Sequence, residues 1–272
     1  MAFITSNKGA RIFYKDWGVG KPVVFTHPWA MSSDLWGYVM LYLQSQGFRC
    51  IALDRRGHGR SDDPGQGFDF DTLADELHDF MEKLDLHDVT LVGYSMGGGE
   101  ALHYQARYGY TKRVARLALL GSPECVCKKD DNPDGIDVSA LNGVLQDIVT
   151  DFPKWLQDGA DAFYLPATYG VSQGVIRWTI DMMLQTSMLA AFDCQRNTFF
   201  TDFRDDIRQI SIPTMVIHGT QDASIPFRCG QAIARTIPGC QFKVYEGAPH
   251  GLIMTHPEQI KADLLAFLPF ND

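Results

Sequence analysis

Val89-Thr90-Leu91-Val92-Gly93-Tyr94-Ser95-Met96-Gly97 is a short, largely apolar run that ends in a glycine-flanked serine. It has the form of a nucleophile elbow, in which a strand turns sharply and presents a serine just before a helix. The turn holds its serine in a strained backbone conformation, so the residues two before and two after must be small. Both are glycine here, and Gly98 and Gly99 relax the packing further. Ser95 Oγ is therefore expected to stand exposed above a sheet. Glycine-rich strand-to-helix turns also cradle phosphates, but those sites use G-x-G-x-x-G or end in G-K-[ST], and neither pattern is present.

A serine hydroxyl is a poor nucleophile unless a histidine takes its proton and a carboxylate holds that histidine in the right tautomer. Residues 214–218 read as a buried strand running into Gly219-Thr220-Gln221-Asp222, which places Asp222 on a loop at the carboxyl end of the sheet. The next strand, 242–245, runs into Glu246-Gly247-Ala248-Pro249-His250-Gly251 and brings His250 to the same edge. Ser, then Asp, then His is the order found in α/β-hydrolases. His218 and His256 compete for the role of base, but His218 closes a strand and His256 precedes Pro257 at a helix start. Glu124, after Gly121-Ser122-Pro123, competes for the role of acid, with Asp222 favoured.

The oxyanion of a tetrahedral intermediate needs preorganised donors, one from the residue after the serine and one from the loop after the third strand. The N–H groups of Met96 and Trp29 fit those places. Pro28 has no N–H, so the loop His27-Pro28-Trp29 must donate from Trp29 or beyond. The Trp29 indole is also placed at the pocket wall, with core packing as the competing reading. Phe163, Ile225 and Leu252 are the other candidate substrate contacts. The charged loop Asp54-Arg55-Arg56-Gly57-His58-Gly59-Arg60-Ser61 is read as a set of loop-fixing hydrogen bonders, not reactants.

Strand signals recur at 10–17, 22–25, 48–53, 89–92, 114–120, 214–218 and 242–245, with helical patterns between most of them. Lys8-Gly9 makes a tight turn between Phe3-Ile4-Thr5 and Ile12-Phe13-Tyr14, so the chain is expected to open with an antiparallel hairpin on a mostly parallel sheet. Leu73, Leu77, Phe80, Met81 and Leu84 recur at helical spacing, with Asp75, Glu76, Asp79, Glu82 and Lys83 assigned to the other side. Strand signals vanish between 122 and 203, where helical stretches such as 138–148 and 174–189 are separated by Pro123, Pro133, Pro153 and Pro166. This segment reads as an inserted helical cap within a single domain spanning 1–272. Its Trp155, Phe163, Tyr164 and Trp178 are helix-packing residues on the simplest reading, and some are placed to roof a pocket over Ser95.

Composition narrows the function classes. The 272 residues carry 33 Asp plus Glu against 24 Lys plus Arg, a balance that argues against nucleic acid or an anionic membrane surface as partner. The first residues lack the basic cluster and long apolar stretch of a secretory signal, and no later stretch has the apolar length of a membrane span, so the cytoplasm is the expected compartment. Six scattered cysteines, at 50, 125, 127, 194, 229 and 240, form no disulfide framework and are read as reduced thiols. Cys125-Val126-Cys127 is read as a plain loop, because a metal site would need further ligands at regular spacing.

The chain resembles, over nearly its whole length, the cofactor-free haloperoxidase and aryl esterase branch of the α/β-hydrolase fold. The resemblance rests on Gly-Tyr-Ser-Met-Gly-Gly-Gly-Glu at 93–100, Tyr14-Lys15-Asp16-Trp17-Gly18, the loop 54–61, Thr201-Asp202-Phe203, Ile212-Pro213-Thr214 and Gly247-Ala248-Pro249-His250-Gly251-Leu252. It implies a mostly parallel eight-stranded sheet flanked by helices, and a serine hydrolase acting on small esters or lactones. A side activity that forms peracids from hydrogen peroxide and a carboxylic acid is also implied, with no haem, metal or other cofactor. Homo-oligomers are an expectation from the family alone. Relatives usually read His-Gly-Trp where this chain reads His27-Pro28-Trp29-Ala30, and perhydrolytic members often have proline just after the tryptophan. Esterase activity is therefore expected to dominate. Lactone, amide or carbon–carbon bond hydrolysis and a slow-turnover ligand receptor are the alternative readings, because a triad sets the chemistry while the cap sets the substrate.

Overall fold

The computed structural model describes residues 2–269. Strand β1 (Ala2–Thr5) pairs antiparallel with β2 (Arg11–Trp17), as the Lys8-Gly9 turn requires. There follow β3 (Pro22–Thr26), α1 (Gly37–Ser45), β4 (Arg49–Leu53), α2 (Phe70–Lys83), β5 (Val89–Tyr94), α3 (Met96–Tyr108) and β6 (Val114–Leu120). Five helices come next: α4 (Val138–Tyr164), α5 (Pro166–Tyr169), α6 (Gln173–Met183), α7 (Met188–Phe200) and α8 (Arg204–Arg208). The chain then returns through β7 (Thr214–Gly219), α9 (Phe227–Thr236), β8 (Gln241–Tyr245), α10 (Leu252–Thr255) and α11 (Pro257–Phe267).

The eight strands form one sheet in the order β1-β2-β4-β3-β5-β6-β7-β8. β2 runs antiparallel to both its neighbours, and every pair from β4 to β8 is parallel. Parallel strands carry helices on both faces and lose their solvent side, and accordingly every residue of β5 and β7 is buried. From β3 the chain crosses first to β4 on one side and later to β5 on the other, so Thr26 and Gly93 are register partners at a topological switch point. The loops leaving β3 and β5 diverge there and open a crevice at the carboxyl end of the sheet.

Helix α2 follows its apolar period, burying Leu73, Leu77, Phe80 and Met81, and Asp69 caps it by accepting from the Thr72 N–H at 2.8 Å. Two carboxylates assigned to its solvent side are buried instead. Glu76 binds the Arg56 guanidinium and the Ser6 hydroxyl, and Asp79 accepts from the backbone and side chain of Asn7. Periodicity sorts residues by polarity, and a carboxylate that meets a guanidinium or an amide can turn inward without leaving its charge unpaired.

The helices between β6 and β7 start and stop where the prolines and capping residues dictate. Asp151 has non-helical φ −157° and ψ 81°, which breaks α4 into two segments, and its side chain accepts from the Lys154 N–H at 3.0 Å to start the second. Pro153 sits in that first turn, where its missing N–H has no partner to lose. The stretch expected at 174–189 is shorter: α6 ends at Met183, and Ser187 caps a separate α7. The segment closes at Phe203, whose ring packs edge-on against Phe70 under α3.

Candidate active site

Strand β5 ends in the turn that its glycines permit. Ser95 takes φ 55° and ψ −123°, a conformation that costs a non-glycine residue of order 1–3 kcal/mol and persists only where the surroundings over-determine it. A Cβ on Gly93 would stand 2.5 Å from the Gly97 carbonyl oxygen, and one on Gly97 would stand 2.4 Å from that of Thr26. No larger side chain fits either place, so the two glycines are a requirement of the turn. Ser95 is nonetheless only 6% exposed, because the helices between β6 and β7 cover this edge and the hydroxyl faces a cavity instead of open solvent.

The three residues expected to act together meet there. His250 Nε2 lies 2.9 Å from Ser95 Oγ, and His250 Nδ1 lies 2.6 Å from Asp222 Oδ2. The other Asp222 oxygen accepts from the Ser224 and Ile225 N–H groups at 2.9 and 2.8 Å, so the carboxylate cannot rotate freely. Burial opposes the Asp222 charge, but the charge of His250 and hydrogen bonds from His218 and His250 outweigh it and hold the carboxyl well below the usual range. The Tyr94 hydroxyl donates to the His250 carbonyl, and the Phe163 ring stands edge-on to the imidazole at 5.2 Å.

The competing assignments fall elsewhere. Glu124 lies 3.9 Å from Arg228 and makes no hydrogen bond to His250 among the described residues; burial, only partly offset by Arg204 and Arg228, raises its carboxyl. His256 bonds the Thr255 hydroxyl at the start of α11. His218 lies 3.3 Å from Asp222 Oδ2 with its Nε2 on the Ile225 carbonyl, and it makes no hydrogen bond to Ser95 among the described residues.

Met96 is the first residue of α3, so its N–H belongs to the unpaired first turn and sits at the positive end of the helix dipole. Among the described residues neither this N–H nor that of Trp29 is paired with a protein acceptor. The loop after β3 is held from several directions. Arg55 N–H donates to His27 Nε2 at 3.0 Å, which leaves the proton on Nδ1 to donate to the Pro28 carbonyl at 2.8 Å. Burial first, and the Arg55 charge second, keep His27 neutral. Arg55 also donates to the His27 carbonyl and pairs with the buried Glu100 of α3, tying the loop after β3 to that helix. Asp54 accepts from the Ser33 and Arg60 N–H groups, so the 54–61 loop is a hydrogen-bonded frame.

Above Ser95 and His250 lies an apolar cavity of about 310 Å³. Trp29, Phe163 and Ile225 line it, as expected from the sequence. Leu252 does not: it is fully buried in the main core as the first residue of α10, because the chain turns into that helix directly after His250 and carries the side chain inward. Trp155, Leu156, Ile180, Met183 and Phe199 complete much of the wall. All but Trp155 escaped the sequence reading, since an apolar residue at helical spacing looks the same whether it packs on a core or faces a cavity.

A family model described as alpha/beta hydrolase fold matches residues 21–257, and the chain belongs to that family. It is 38% identical to a non-heme chloroperoxidase of Kitasatospora aureofaciens over 98% of this chain and 99% of the relative. A bifunctional esterase/perhydrolase of Acinetobacter calcoaceticus is 34% identical over the same shares of the two chains. A bromoperoxidase from Bacillus anthracis of known crystal structure superposes with a TM-score of 0.93 at 35% identity, covering 98% of both chains.

Proposed function

We propose that the protein is a serine hydrolase that cleaves small carboxylic esters through an acyl-enzyme, with perhydrolysis as a side activity. The observation that carries this reading is the unbroken relay from Ser95 through His250 to Asp222, at 2.9 and 2.6 Å, at the foot of an apolar cavity. His250 Nε2 accepts the Ser95 proton as Oγ attacks the ester carbonyl, and Asp222 steadies the imidazolium that forms. The Trp29 and Met96 N–H groups bind the oxyanion. The alcohol leaves with the proton from His250, and water activated by the same nitrogen releases the acid. Hydrogen peroxide in place of that water yields a peracid.

Residues 122–203 act in this reading as a cap that supplies most of the cavity wall and so selects the acyl and alcohol groups. A cavity of about 310 Å³ suits aryl acetates and small lactones. Ala30 supports hydrolysis as the main activity. Its φ of 55° is closed to proline, whose ring fixes φ near −65°, so this loop does not have the shape that a proline after the tryptophan would impose. Among the described residues no helix is long and apolar enough to cross a membrane, and the six free cysteines fit a reducing compartment such as the cytoplasm.

The test is a panel of aryl esters, lactones, an amide, and acetate with peroxide, comparing wild type with Ser95→Ala. Ester turnover should exceed the rest and fall by several orders of magnitude in the variant. Near-normal turnover by Ser95→Ala would remove the assignment.

A further inference from the structure

His218 lies beside the relay and takes no part in the mechanism above. It belongs to the end of β7, is fully buried, and precedes Asp222 by four residues. Its Nε2 is 3.0 Å from the Ile225 carbonyl oxygen and 3.3 Å from Asp222 Oδ2, the oxygen that also meets His250 Nδ1. Two acceptor oxygens around one ring nitrogen place the proton on that nitrogen. The other nitrogen, Nδ1, is buried without a hydrogen-bond partner among the described residues. Leaving a buried polar atom unpaired costs stability, so its retention calls for a compensating role of the ring.

The surrounding helix is shaped to accept the ring. Gly230 of α9 packs directly against it: a Cβ there would stand 2.3 Å from His218 Nδ1. Phe227, one turn earlier, meets the imidazole edge-on at 5.8 Å. The ring is thereby confined to the orientation that points Nε2 toward Ile225 and Asp222.

We propose that His218 is a positioning residue for the Asp222–His250 pair. It pins the Ile225 carbonyl, and with it the turn whose Ser224 and Ile225 N–H groups hold Asp222 Oδ1, while its Nε2–H faces Asp222 Oδ2. This role rests on the triad reading above. Its chemical effect is to spread the carboxylate charge over two imidazole N–H groups, so that Asp222 orients His250 without gripping the relay proton too tightly. Among the described residues, two phenols also stand near the pair: Tyr94 of β5, whose hydroxyl donates to the His250 carbonyl, and Tyr164 of α4, which lines the same cavity. Burial raises both, Tyr164 to about 12, so neither changes charge where a hydrolase is assayed.

The experiment is the pH profile of kcat/KM on an aryl acetate for wild type, His218→Leu, His218→Gln and Ser95→Ala, the first three normalised to titrated active sites and Ser95→Ala to protein concentration. In His218→Leu the acid limb should move up by about half a pH unit or more and kcat should fall roughly tenfold, because Asp222 has lost a facing donor. His218→Gln, whose amide N–H reaches the place of Nε2, should restore the acid limb and most of the rate. A wild-type acid limb in His218→Leu overturns the proposal, whatever its rate, since lost packing lowers activity without moving the limb. Nitrogen-15 spectra of the wild-type histidines add a check without any variant: the Nε2–H tautomer of His218 is required, and the Nδ1–H tautomer would overturn the proposal. An active Ser95→Ala removes the triad reading itself, whereas an inactive Ser95→Ala beside an unshifted His218→Leu removes only the positioning role.

Discussion

The indole Nε1–H of Trp29 donates to the Ala191 carbonyl at 2.7 Å, joining the loop after β3 to helix α7 across 162 positions of sequence. The residue proposed to hold the oxyanion is therefore anchored by the same helix that walls the cavity. Phe152 and Trp155 pack edge-on against the indole, each at 5.7 Å, and complete the clamp.

Trp29→Phe keeps most of this packing but removes the donor and leaves the fully buried Ala191 carbonyl without it. The expected result is a fall in kcat on an aryl acetate of about three- to tenfold, with a smaller change in KM, because a neutral hydrogen bond is worth roughly 0.5–1.5 kcal/mol. Steady-state kinetics checks it. An unchanged kcat would mean that the loop holds its N–H in place without the anchor.

Ala30→Pro tests the backbone of the same loop. Proline cannot adopt the left-handed φ of 55° found at this position, so the segment must rearrange and the Thr186 hydroxyl loses its hold on the Ala30 carbonyl. Such a mismatch destabilises by more than about 1 kcal/mol, which lowers Tm by at least ~2–4 °C in a chain of this size. Calorimetry together with an ester assay should show both a lower Tm and slower hydrolysis, and a variant equal to wild type in both would contradict this account of the loop.

Asp222→Asn should lower kcat by about 10³–10⁴-fold while preserving the fold. The Ser224 and Ile225 N–H groups occupy the site of Oδ1, so the amide oxygen must settle there and the NH₂ must face His250. A donor at that place forces the imidazole proton onto Nε2, which then cannot accept the proton of Ser95. Residual activity above a tenth of wild type would show that the carboxylate is not what orients His250.

Buried neutral histidines make stability depend on pH with a definite sign. Burial first and the Arg55 charge second push His58 down to about 3 from an ordinary 6.5, and His27 is lowered by the same two causes. Below about 6.5 the unfolded chain binds these protons and the folded chain does not, so stability is full above that pH and is lost as pH falls toward 3. Each histidine adds up to about 1.4 kcal/mol per pH unit. His103 works the other way, because the hydrogen bond to Asp206 raises it. Comparing His58→Asn with wild type cancels that contribution: between pH 5 and 6, urea midpoints of the variant should fall less steeply, by about one proton's worth. Parallel slopes would show that His58 is protonated in the folded state.

Some of the site was legible in the order of residues because its geometry is local. Gly93 and Gly97 make the strained turn at Ser95 possible wherever a strand meets a helix, and strands β7 and β8 deliver Asp222 and His250 to one sheet edge because parallel strands all point the same way. Pro153 likewise acts on its own neighbours, whereas the Ser187 cap that splits the stretch expected at 174–189 was not read. Other features depend on which distant groups come into contact, and no local pattern carries that information. Only the folded chain decided that Glu76 and Asp79 turn inward to Arg56 and Asn7. It also sent Leu252 to the core, gave the cavity its wall from α4, α6 and α7, and set His218 against Gly230. The physical reason is that backbone strain and capping are paid within a few residues, whereas pairing and cavity shape follow from where long-range packing brings remote side chains together.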